Sequence, residues 1–103
     1  MTKPLRLDDD AAEELEVAAT WYEARREGLG GDFIAAIRDA CHRVIERPDA
    51  YSLAAGVPSE LGVRRCLLRR FPFAIVYVEL DAEIRVLAIA HTSREPGYWR
   101  SRL

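Results

Sequence analysis

The chain has 103 residues, half of them hydrophobic and 31% charged, which suits one globular domain and excludes both a disordered segment and a pair of domains. A formal net charge of −2 argues against a generally basic nucleic-acid binder. A domain this short buries only about 60–70% of the surface its unfolded chain exposes, leaving little core to spare for a deep cofactor pocket.

In chain order, Leu5 and Leu7 alternate with polar residues and predict a short first strand, with Pro4 at its start or edge. Asp10-Ala-Ala-Glu13 has the form of a capping box, with Asp in place of Ser or Thr. Ala12, Leu15, Ala19 and Tyr22 then recur at helical spacing, with Ala11 and Ala18 beside them and Glu13, Glu14, Glu16 and Glu23 on the other side. Trp21 falls at the rim of that stripe. Gly28, Gly30 and Gly31 interrupt the pattern. A second helix is predicted from about Asp32, with Phe33, Ile34, Ile37, Cys41, Val44 and Ile45 as one apolar stripe. Pro48 ends it, because the residue before proline is pushed out of helical geometry. Residues 49–62 read as a loop with room for one helical turn.

Residues 63–91 change character. Val63–Leu68, Phe73–Leu80 and Ile84–Ala90 are rich in β-branched, aromatic and aliphatic residues, and the breaks between them are short enough to demand antiparallel hairpins. The expected architecture is α+β over a single domain, 1–103. An N-terminal strand precedes an antiparallel helix hairpin, which packs on one face of an antiparallel sheet (β-α-α-β-β-β). Phe33, Ile37, Cys41 and Val44 should be buried, with alternate residues of 73–80. Residues 92–103 form a short tail.

Charge is unevenly placed. Residues 1–51 hold 7 Lys and Arg against 12 acids, whereas residues 52–103 hold 8 Arg against 5 acids and no Lys. Arg forks bind carboxylates and phosphates bidentately, so this half points to planar anionic partners. Arg64, Arg65, Arg69 and Arg70 sit on one strand and its turn, Arg85 on the last strand, and His91, Arg94, Arg100 and Arg102 follow. Three strands in a meander are expected to bring these groups to one face and one end of the sheet. The plainer alternative is an edge strand kept soluble by charge. In a regular strand His91 shares parity with Arg85, Leu87 and Ile89. It is either a hydrogen-bonded structural residue or an acid near neutral pH. Tyr98 and Trp99 either stack on a base or cover the open end of the core, and covering is the better reading.

Other chemistries lack parts. Cys41, His42, Cys66 and His91 do not have zinc-site spacing, so no metal is expected. Gly28-Leu-Gly-Gly31 follows a helical pattern and is not a dinucleotide fingerprint, and no Ser sits in a nucleophile elbow, so no cofactor is expected. The two cysteines read as small buried hydrophobes of a reducing compartment. Asp8-Asp9-Asp10 falls where a leader's apolar core would be needed, and no apolar run approaches a membrane span. A cytoplasmic protein without membrane contact is expected.

The stretches Val63-Arg-Arg-Cys-Leu-Leu-Arg-Arg-Phe-Pro-Phe-Ala-Ile-Val-Tyr77, Val86-Leu-Ala-Ile-Ala-His91 and Arg94-Glu-Pro-Gly-Tyr-Trp99, with Ile45-Glu-Arg-Pro48, resemble the RelE/ParE toxin superfamily of type II toxin–antitoxin modules. The resemblance spans nearly the whole chain. It implies a growth-inhibiting toxin neutralised by a cognate antitoxin in a hetero-oligomer. Its ParE-like branch implies DNA gyrase as target. Its RelE-like branch implies ribosome-dependent cleavage of mRNA, and a third option is a chain that keeps only antitoxin binding. In the nucleases an aromatic-Arg-aliphatic pattern opens the strand that ends in Tyr, and its Arg contacts the scissile phosphate. Here the stretch is Phe73-Ala74-Ile75-Val76-Tyr77, with Ala74 at the Arg position. Loss of such a cation forfeits about 3–4 kcal/mol of transition-state stabilisation, by analogy with the loss of an oxyanion donor. A nuclease would have to recruit Arg65 or Arg85, with His91 or Tyr98 as acid. The ParE-like reading fits His91 and Arg94-Glu-Pro better. Antitoxin or target binding is assigned to Arg64, Arg65, Arg69, Arg70, Arg85, His91, Arg94, Trp99 and Arg100.

Overall fold

The computed structural model describes residues 2–103. Strand β1 (Leu5–Leu7) leads into helices α1 (Asp9–Arg25) and α2 (Leu29–Glu46), followed by β2 (Val63–Leu67), β3 (Phe73–Glu79) and β4 (Ile84–His91). A single 3-10 turn at Ser59–Leu61 interrupts the long loop, and another at Arg100–Arg102 ends the chain. The sheet order is β1-β4-β3-β2. The β2-β3-β4 meander is antiparallel as expected, but β1 lies parallel to β4, so the sheet is mixed. Parallel neighbours need a long crossover, and the helix hairpin with the first two meander strands supplies it.

Both helix starts differ from the sequence expectation, for one reason: the acids that would cap them are used elsewhere. Helix α1 begins at Asp9, and Asp8 at its N-cap makes no side-chain cap because its carboxylate holds Arg85. Helix α2 begins at Leu29, before Asp32. Its first donors are satisfied by Glu23 near the end of α1, whose carboxylate accepts from Gly28 N at 3.0 Å and Gly30 N at 2.9 Å. Gly30 is required there, because a Cβ would stand 2.6 Å from the Ala19 carbonyl. Gly28 takes a left-handed φ of 89°, which glycine adopts at no steric cost.

The hairpin covers one face of the sheet, α1 running along β4 and α2 over β2 and β3. Phe33, Ile37, Ala40 and Val44 of α2 pack with Cys66, Ile75, Tyr77, Ile84, Val86 and Ile89. Cys41 is half-buried rather than buried, at the margin of this core. The opposite face is also covered. Ala54, Val63, Val76, Leu87, Ala88 and Trp99 form a second, smaller core in which Trp99 is 3% exposed. The near-continuous apolar run of β3, in place of strict alternation, is the signature of a strand buried on both faces. Two segments supply the cover. Ser52–Ala54 runs antiparallel to β2, with Ala54 N donating to Val63 O at 2.8 Å and Arg65 N to Ser52 O at 2.9 Å. The tail lies beside it, and Gly56 and Gly97, both at positive φ, touch backbone to backbone.

Candidate functional site

The cationic residues singled out in the sequence do not converge on one face. Arg64 is opposite Tyr77 on the helix side, where its guanidinium donates to Tyr51 O at 2.6 Å. Arg65 is opposite Val76 on the other side. Arg69 and Arg70 are exposed and lean towards α2, 3.9 Å from Asp39 and 3.6 Å from Asp32. Arg85 is clamped bidentately by Asp8 and also donates to Arg102 O at 2.6 Å. The arginine fork holds the Asp8 carboxyl below its ordinary range. Trp99 is core, as the covering reading expects. Parity fails at His91, because the β3–β4 register shifts: Val76 faces Ala88 but Tyr77 faces Val86, leaving Leu87 as the extra residue of a bulge. Beyond it His91 pairs with Phe73 on the helix side, while Arg85 and Leu87 stay on the other.

When the internally paired arginines are set aside, the residual positive charge gathers at one cleft on the outer sheet face. Ala74, Val76 and Ala90 line it, with Ala54-Ala55 on one side and Pro96-Gly97 on the other, around a cavity of about 70 Å³. Arg65 reaches it half-buried and with no acidic or hydrogen-bonding partner among the described residues. Arg94 also lines it, stacked 3.8 Å above the Tyr98 ring. His91 and Thr92 close one end, and Glu95 contributes the one carboxylate of the lining. His91 Nδ1 accepts from Ser93 N at 3.0 Å, so a neutral ring carries its proton on Nε2. The Tyr98 hydroxyl donates to Glu14 at 2.8 Å, and burial, reinforced by that bond, pushes its pKa well up. The cleft thus offers cations but no poised proton-transfer pair.

Glu14, assigned by sequence to a solvated helix face, is the hub that holds the tail. Its Oε1 accepts from Ile89 N at 3.0 Å and Arg102 Nη1 at 2.9 Å, and its Oε2 from Tyr98 at 2.8 Å and Arg102 Nη2 at 3.1 Å. The signal was available: Ala11, Glu14 and Ala18 are spaced 3 and 4 apart, which places the acid in line with the two buried alanines of α1. Next to it runs a groove of about 700 Å³ between α1 and the end of β4, lined by Val17, Trp21, Phe73, Ile89, His91 and Arg94 among others. Trp21 is 51% exposed and is stacked by Arg25 at 3.9 Å. It belongs to the groove wall rather than the core margin.

Both thiols are free, and burial pushes Cys41 up to about 11, so it is a weak nucleophile. No cluster of His, Cys, Asp or Glu among the described residues has the arrangement to hold a metal ion. No described helix is long and apolar enough to cross a membrane.

The family model for the ParE toxin of the type II toxin-antitoxin system parDE matches residues 5–96. A solved structure of the chromosomal ParDE toxin–antitoxin system from P. aeruginosa matches the fold with a TM-score of 0.63. The identity is 22%, over 87% of this chain and 96% of that one. No curated protein matches the sequence. The family match covers both helices and the whole meander, including the Arg65–Ala74 strand pair and the Arg94-Glu-Pro turn, and on it the chain belongs to the ParE toxin family.

Proposed function

We propose that this toxin acts by binding DNA gyrase or a related topoisomerase, and not by cutting RNA. The observation that carries the reading is the chemistry of the outer-face cleft. Metal-free RNA cleavage needs a base for the 2′-hydroxyl, cations for the crowded phosphate and an acid for the leaving oxygen. Ala74 stands at the cleft where the nuclease pattern has Arg, and the Tyr98 proton is committed to Glu14. Binding to a protein target demands none of these roles. The test is induced expression with parallel assays for mRNA cleavage and DNA-damage signalling, followed by supercoiling assays on purified gyrase. Inhibited supercoiling with intact message is expected. Codon-specific cuts on translating ribosomes that vanish in Arg65→Ala/His91→Ala would overturn the proposal and promote the nuclease reading.

The same reading makes an acidic antitoxin segment the neutralising partner. Arg69 and Arg70 are well exposed, and their contacts with Asp39 and Asp32 are long enough to be exchanged for a partner's carboxylates. Exposed charge steers the encounter and is screened by salt, whereas buried apolar anchors hold the complex. Association should therefore slow with salt more than dissociation quickens. Arg69→Glu/Arg70→Glu should weaken the complex more than Arg25→Glu/Arg26→Glu on α1. The reverse order would move the partner to the groove beside Trp21.

A further inference from the structure

We infer that the outer-face cleft is a binding site for a single phosphate group, taken up as free inorganic phosphate and read without any attached base. The argument starts from the internal ion pairs. Arg85 and Arg102 are consumed by Asp8 and Glu14, Arg64 by a backbone carbonyl, and Arg43 by Asp39 and Leu67 O. Arg65 is the exception: it is half-buried on a strand, and among the described residues its guanidinium has neither an acid nor a hydrogen-bond acceptor. Taking a guanidinium partly out of water without a partner is unfavourable, and a bound oxyanion is the ligand that reverses that cost.

The surroundings fix the size and kind of anion. The floor is made of small residues, Ala74 and Ala90, so the space beneath the Arg65 side chain is not filled by neighbours. A cavity of about 70 Å³ admits one small polyatomic anion and no ring system beside it. Arg94 and the His91 end bring further donors to the same cavity. Stacking of a base is blocked at the aromatic that lines the cleft. Tyr98 already carries Arg94 at 3.8 Å and Arg102 at 5.3 Å from its ring centroid, and Trp99 is buried. Glu95 opposes the anion from the rim and sets an upper limit on affinity. The site spans the contact of the Ala54–Gly56 loop with the Pro96–Gly97 turn, so an occupant would tie together the two segments that cover this sheet face. The inference stands apart from the choice of toxin target, because binding is read on the isolated chain.

The experiment is titration of the purified toxin with inorganic phosphate at constant ionic strength, followed by amide NMR and thermal melting. Sodium acetate, adenosine 5′-monophosphate and an Asp/Glu-rich peptide serve as separate arms. Shifts at the Arg65, Ala74, Ala90 and Gly97 amides and a raised melting temperature are expected with phosphate and not with acetate. Arg65→Gln should weaken phosphate roughly 10- to 100-fold, the loss of a charge-assisted contact, and Arg94→Gln by less. Glu95→Gln should tighten it. If Arg65→Gln fails to fold, the Arg94→Gln and Glu95→Gln pair decides the matter, since opposite signs are required. The proposal is overturned if phosphate leaves these amides unmoved, or if acetate acts equally. It is overturned too if the mononucleotide binds far tighter than phosphate, or if only the acidic peptide binds, which would assign the cleft to a protein carboxylate.

Discussion

Replacing Glu14 should cost this toxin a large part of its stability, although sequence periodicity places the residue on a solvated helix face. The Glu14 and Arg102 side chains are 20% and 18% exposed, so their pairing lies between the surface and the fully buried limits. A surface pair contributes about 0–1 kcal/mol, and breaking a fully buried one costs about 3–5 kcal/mol. Glu14→Ala also removes the acceptor of the Ile89 N–H and of the Tyr98 hydroxyl, each half-shielded from water. Together these give a loss of about 2–3 kcal/mol. For a domain of about 100 residues that is a fall in Tm of roughly 10–20 °C. Circular-dichroism melts of the purified chain measure it. Glu13→Ala, one residue away and exposed, is the control and should stay within about 0.5 kcal/mol of the parent. Glu14→Gln should fall between the two, since its carbonyl still accepts but its amide cannot pair with Arg102. Hydrogen exchange gives a local readout, because the Ile89 amide should lose protection before its neighbours on β3. Equal melting temperatures for Glu14→Ala and Glu13→Ala would refute the hub.

Three further outcomes follow from the geometry. Asp8 is held below its ordinary pKa of 3.8 by Arg85, so its contribution is present in full above that value and is lost as the pH falls through the folded one. Asp8→Asn should therefore be less stable than the parent at neutral pH, and the gap should close in strong acid; a gap independent of pH would remove Asp8 as its source. Tyr77 is fully buried and donates to Pro48 O at 2.6 Å, so Tyr77→Phe should cost about 1–2 kcal/mol in urea unfolding by orphaning that carbonyl. Gly56→Ala places a Cβ 2.7 Å from Gly97 N at a φ of +94°, and about 2 kcal/mol or more should be lost. The tail should lift, and the emission of Trp99, buried in the parent, should shift to the red. An unshifted spectrum with parental stability would show that the two loops do not need this contact.

Local physics made much of this protein legible from its residues. The helical spacing of Phe33, Ile37 and Val44, the stop at Pro48, the short turns at 68–72 and 80–83 and the apolar strands are properties of neighbouring residues, and the structure keeps them. The motif order was enough to point to the family. What the chain order could not convey were the pairings between distant residues. Arg85 finds Asp8 across 77 positions, and Arg102 finds Glu14 across 88. These choices turned an apparent cationic face into mostly satisfied internal contacts. The Leu87 bulge moved His91 to the other side of the sheet from Arg85, which strand alternation alone could not show because a bulge is a property of two strands in register. The parallel placement of β1 likewise depends on where a long crossover returns. Periodicity decides which side of an element is apolar; only the packed fold decides which charges meet, and therefore which arginine, Arg65, is left open to a ligand.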